Sequence, residues 1–110
     1  MSLDVYLYEK TTYGTHEYFW KNITHNLNTM ADKAGIYEVL WRPDENNITK
    51  AQQLIEPLTK GLQLLKDNPE RFKPFNAENG WGTYEGLIRF VSAYLEAAKQ
   101  YPLADVRVSR

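Results

Sequence analysis

Two short runs carry side chains able to hold a ligand. The first, Asn22-Ile23-Thr24-His25-Asn26, places an imidazole, a hydroxyl and two amides within five residues, and Asn28 follows closely. The second, Asn79-Gly80-Trp81-Gly82-Thr83-Tyr84, sets two glycines around an indole. Glycine lets a ligand approach the backbone closely, and an indole stacks on a planar ring for about 1–3 kcal/mol. Each run precedes an amphipathic pattern, so both read as helix starts. Free N–H groups and about half a positive charge collect there, which suits phosphate or carboxylate. Trp41-Arg42-Pro43 adds a guanidinium that can grip an oxyanion bidentately. The expected ligand-binding set is Asn22, Thr24, His25, Asn26, Trp41, Arg42, Asn79, Gly80, Trp81, Gly82, Thr83 and Tyr84. The expected ligand is a small phosphorylated, ring-containing molecule, nucleotide-derived.

Each of these residues also has a structural reading. Thr83 and one of Asn22 or Thr24 serve as helix N-caps, Trp81 can plug the core, and Arg42 can be simply solvated. His25 lies roughly 160° from Leu27 on a helical wheel, so it should face away from the core. Eight Tyr, three Trp and four Phe exceed what a core of this size needs, so some belong to a surface. His16 and His25 lack metal-ligand spacing, even with Glu17 or Glu85 beside them. No P-loop, G-x-G-x-x-G, H-E-x-x-H or G-x-S-x-G is present. No catalytic residue, metal or cofactor is therefore assigned.

Composition narrows the classes further. The 110 residues carry a net charge of -1, with 43% hydrophobic and 25% charged, and fit a single domain, 1–110. Cysteine is absent, which removes disulfides and thiolate chemistry. The acidic excess falls in 1–47 and the basic excess in 48–110, with no Lys/Arg cluster, so nucleic acid is not an expected partner. No signal-type leader or apolar run of about 20 residues appears. The expectation is a cytoplasmic protein without membrane partners. The sequons Asn22-Ile23-Thr24 and Asn47-Ile48-Thr49 are then better explained by their threonines, Thr24 and Thr49, as helix caps.

The elements that must position these residues follow from periodicity. Leu3, Val5 and Leu7 alternate with Asp4, Tyr6 and Tyr8, the signature of a half-buried strand. Lys10 to Thr15 reads as a turn, and His16 to Lys21 as the second strand of a hairpin. A first helix carries Ile23, Leu27, Met30, Ala31 and Ala34 and stops at Gly35. A short helix over 36–41 ends at Pro43. Thr49 and Gln52 read as a capping box for a long helix ending before Pro69, kinked or split at Pro57. A helical turn spans 69–75, and a last helix runs from Tyr84 past Ala98. Ala104, Val106 and Val108 close the chain as a strand. The fold class is α+β: an antiparallel sheet of about three strands, N-terminal hairpin plus C-terminal strand, with three to four helices packed on one face. Its free edge and surplus aromatics suggest a homo-oligomer.

The motifs Asn22 to Leu27, Met30-Ala31, Gly35-Ile36-Tyr37, Leu40-Trp41-Arg42-Pro43 and Asn79 to Tyr84 together resemble a family of small, functionally uncharacterised phage and prophage proteins. The resemblance spans nearly the whole chain and implies a phage-type accessory protein acting in the bacterial host cytoplasm. Proteins of that class often counter host defence, by sequestering a nucleotide-derived immune signal or by binding a host protein. Three functions are thus expected in order: a small-molecule binder, an inhibitor of a host enzyme through a Tyr/Trp-rich surface, and a small hydrolase using His25 as general base.

Overall fold

The N-terminal alternation forms β1 (Ser2–Thr11), which turns through Thr12 and Tyr13 into β2 (Gly14–Thr24) in the computed structural model, which describes residues 2–77, 80 and 82–110. β3 (Asp105–Ser109) pairs antiparallel with the other side of β1, giving the order β2-β1-β3. Leu3, Val5 and Leu7 are fully buried and face the helices. The opposite face carries a row in which Tyr6 sits between Trp20 and Arg107. The Arg107 guanidinium lies 4.5 Å from the centre of the Tyr6 ring, a cation–π distance. Leu7 pairs with Phe19 but Tyr8 with Glu17, so Tyr18 is an unpaired bulge residue on β2.

After β2 a 3-10 turn over His25–Leu27 leads into α1 (Asn28–Lys33), and Gly35, at φ +77°, ends that segment. α2 (Tyr37–Trp41) follows, then a 3-10 turn over Pro43–Asn46. The two long helices are α3 (Gln52–Asp67) and α5 (Tyr84–Gln100), with short α4 (Pro69–Phe72) and a 3-10 turn between them. α3 and α5 pack on each other, and α5 crosses β2. Leu54, Leu58 and Leu65 of α3 meet Leu87, Val91 and Ala98 of α5 in one core with the inner sheet face. The architecture is α+β, as the periodicity predicts. Its helical part is divided into five α-helices among the described residues, because α2 and α4 are separate short pieces.

Three local expectations give way to tertiary contacts. Asn22 and Ile23 belong to β2, not to a helix start. The ten-residue β1 offers Ile23 a partner in Leu3, and Ile23 is buried there. Pro57 does not split α3, which runs unbroken; the ring deletes one amide donor and the packed leucine stripe outweighs it. The Thr49/Gln52 capping box does not form. Gln53 Oε1 instead accepts from the amides of Thr49 and Lys50 at 2.8 and 2.9 Å. The amides of Ala51 and Gln52 donate to the carbonyls of Ala104 and Pro102, each at 2.9 Å. A loop some fifty residues away in sequence therefore caps α3, which no local pattern could indicate.

Candidate functional site

The end of β2 and the start of α5 meet in space. Thr24 turns the chain with extended backbone (φ −65°, ψ 142°), and its Oγ1 accepts from the Asn26 amide at 3.2 Å. Gly82 sits against this corner at φ +128°. A Cβ there would lie 3.0 Å from both Leu27 Cγ and Thr24 Cγ2. Glycine at 82 thus allows both the backbone angle and the close approach.

Between the two segments lies a cleft of about 500 Å³, within the span of about 300–1,000 Å³ common for small-molecule sites. Asn22, Thr24 and Thr83 give it polar groups, and Ile23, Leu27 and Phe90 give it an apolar floor. Gly80, Gly82 and Gly86 leave backbone exposed to it, and Lys21 and Arg89 are its two cations. No acidic side chain lines it among the described residues, and neither cation has an acidic partner there within ion-pair distance. Two cations in one concavity without an acid raise the local positive potential and favour an anion.

The α5 N-terminus adds its dipole, but two of its amides are already engaged. Tyr84 N donates to Asn76 Oδ1 at 2.7 Å, and Gly86 N to the Thr83 cap at 3.0 Å. The attraction for an anion therefore rests on the two side-chain cations and the dipole, not on those amides.

The other expected site residues lie elsewhere. Trp41 is 3% exposed, stacks on Tyr37 with ring centres 5.5 Å apart, and donates Nε1–H to His25 Nδ1 at 2.9 Å. Burial removes Trp41 from any stacking role on a ligand. His25 is half-buried and turned toward that indole, contrary to the helical-wheel expectation, because residues 25–27 form a 3-10 turn and not an α-helix. Accepting at Nδ1 places the ring proton on Nε2, so the neutral imidazole has no free lone pair for general-base work while this bond holds. Arg42 bonds the Tyr37 hydroxyl at 3.4 Å and pairs with Glu45 at 3.0 Å, away from the cleft. Asn26 is exposed and outside the lining. Tyr84 is buried, its hydroxyl donating to the Leu65 carbonyl. Asn79 and Trp81 lie outside the described residues. Asn22, Thr24, Gly80, Gly82 and Thr83 are the expected residues that the cleft brings together.

Sequence reasoning missed Lys21, Arg89 and Phe90. A signal for Arg89 was present: Thr83, Gly86 and Arg89 follow at three-residue spacing, which places them on one side of α5. His16 rests edge-on against Tyr18, with ring centres 4.6 Å apart, while His25 is engaged with Trp41. No three His, Asp or Glu side chains converge on a metal-sized site among the described residues. None of the described helices is long and apolar enough to cross a membrane. No family model matches the chain, and neither does any curated protein or solved structure.

Proposed function

We propose that the protein binds a small phosphorylated, ring-containing ligand, nucleotide-derived, in the cleft between β2 and α5. The observation that carries this reading is the pairing of Lys21 and Arg89 in one concavity with no acidic lining among the described residues. Two cations can share the oxygens of a phosphoryl group. Asn22, Thr24 and Thr83 offer hydrogen bonds to the ligand's polar edge, above a floor closed by the buried Ile23, Leu27 and Phe90. Binding without turnover is the simpler role, since the cleft lining holds no nucleophile–base pair among the described residues and His25 is committed to Trp41. In the phage setting that the motif resemblance implies, such binding would sequester a host immune signal.

Calorimetry with nucleotides and their parent nucleosides tests this. Phosphorylated ligands should bind and unphosphorylated ones should not, with affinity falling as salt rises. Lys21→Ala and Arg89→Ala should each weaken binding about tenfold, a loss of about 1.4 kcal/mol. Equal binding of nucleoside and nucleotide, or unchanged affinity in the double variant, would overturn the reading.

A second reading, inhibition of a host protein through an aromatic surface, has its own support. Trp20 is 51% exposed on the helix-free sheet face, in a row with Tyr6 and Arg107. A protein that co-purifies from host lysate, is lost with Trp20→Ala and is kept with the Lys21/Arg89 double variant would favour it.

A further inference from the structure

One face of the sheet carries no helix, and strand register fixes which side chains share it, because paired residues of an antiparallel ladder point the same way. Along β1 they are Asp4, Tyr6, Tyr8 and Lys10. Trp20 and Arg107 flank Tyr6, and Glu17 and Asp105 flank Tyr8. Arg107 lies 4.5 and 5.7 Å from the centres of the Tyr6 and Tyr8 rings, and Trp20 is 51% exposed beside them. The centre of this face is thus aromatic. Its charge alternates from row to row: acidic at Asp4, basic at Arg107, acidic at Glu17 and Asp105, basic at Lys10. Lys50 pairs with Asp105, so Glu17 sets the net sign of the Tyr8 row. Asp4, Lys10, Glu17 and Arg107 form no ion pair among the described residues.

We propose that two copies of the chain stack through this face with their β1 strands antiparallel. The two-fold axis lies between the sheets, runs across the strands and passes midway between the Tyr6 and Tyr8 rows. Every row then faces one of opposite sign. Asp4 meets Lys10 of the other copy, the Arg107 row meets the Glu17 row, and the symmetry makes each contact twice. Other placements oppose like charges or lose the overlap. An axis on the Tyr6 row stacks Arg107 on Arg107, and one on the Tyr8 row stacks Glu17 on Glu17. An axis along β1 sets Asp4 on Asp4 and Lys10 on Lys10, and one midway between the Asp4 and Tyr6 rows leaves Lys10 beyond the end of the facing β1. This self-complementarity selects a second copy of the chain over a foreign protein as the occupant. The tyrosines supply the apolar contact, Tyr6 over Tyr8 in both halves. The overlap covers about 20 Å along the strands and about 10 Å across them. So small a contact gives a dimer that dissociates on dilution.

Native mass spectrometry and size exclusion across dilution and salt series test the proposal on the full chain. The wild-type protein should be dimeric at high concentration and less so as salt rises. Trp20→Ala should raise the dissociation constant about tenfold or more. The charge pairing gives the sharper measurement. Asp4→Lys and Lys10→Glu each set like charges together, so each alone should weaken self-association about tenfold. Mixed, the two variants should form a heterodimer of near wild-type strength, because both contacts again join opposite charges. That recovery also shows that both variants fold. The Lys21→Ala/Arg89→Ala variant should dimerise normally, which keeps this outcome separate from that of the cleft. A monomer at every concentration, a dimer indifferent to Trp20→Ala, no heterodimer on mixing, or a host protein held on this face by monomeric chain would overturn it.

Discussion

Thr24 and His25 are neighbours in sequence and belong to opposite kinds of site. Thr24 looks into a cleft whose two cations have no acidic partner among the described residues. His25 turns the other way, into a closed corner where polar groups satisfy one another. There Trp41 donates to His25 Nδ1, Arg110 Nη1 donates to the Trp41 carbonyl at 2.8 Å, and the Arg110 guanidinium holds the Asp44 carboxylate through both oxygens. Both regions are rich in polar residues. What separates them is whether those groups are already used: satisfied groups stabilise a fold, and unsatisfied charge in a concavity is available to a ligand.

The largest effect on this contrast should come from the closed corner. Trp41→Ala removes a buried indole and leaves His25 Nδ1 without its donor, so unfolding free energy should fall by about 3–5 kcal/mol in denaturant melts. Ligand affinity of the fraction still folded should stay unchanged; a loss there would tie the two regions together. On the open side, Gly82→Ala forces a Cβ to 3.0 Å from Leu27 and Thr24 at a φ that alanine rarely adopts. It should cost about 1–3 kcal/mol and also distort the cleft, so calorimetric affinity should drop with stability. Removing the cleft cations should separate the two quantities. The Lys21→Ala/Arg89→Ala double variant should melt within about 0.5 kcal/mol of wild type while losing phosphorylated ligand.

The smallest effect concerns pH. The hydrogen bond from Arg110 holds the Asp44 carboxyl below the usual carboxylate range. Its folded value is depressed, so its contribution to stability is present above the unfolded pKa of about 3.9 and is lost as pH falls through the folded value. Arg110→Ala should move the Asp44 NMR titration midpoint back up toward the ordinary range. An unmoved midpoint would show that the closed corner does not extend to the C-terminus.

Much of the candidate site is legible in the sequence. The polar run ending β2 and the glycine-flanked run before α5 supply Asn22, Thr24, Gly80, Gly82 and Thr83 to one cleft, and Thr83 caps α5 as expected. A single exposed cation such as Lys21 carries no local signature, and the spacing that sets Arg89 on one side of α5 with Gly86 and Thr83 does not say what faces it. The meaning of either depends on its surroundings across the fold. Trp41 and Arg42 were misread for the same reason, since an aromatic beside an arginine looks alike in a pocket and in a core.

By itself the sequence determined the strands and the long helices, because burying one face of each imposes a period of two or 3.6 on the chain. It also determined where Gly35 and Thr83 end or begin helical segments, since backbone angle and side-chain capping are local. Tertiary structure alone decided that Ile23 extends β2, that the loop around Ala104 caps α3, and that His25 is engaged by Trp41. Each of these is a bond or contact between residues far apart in the chain, where local propensity is silent and the partner's position settles the outcome.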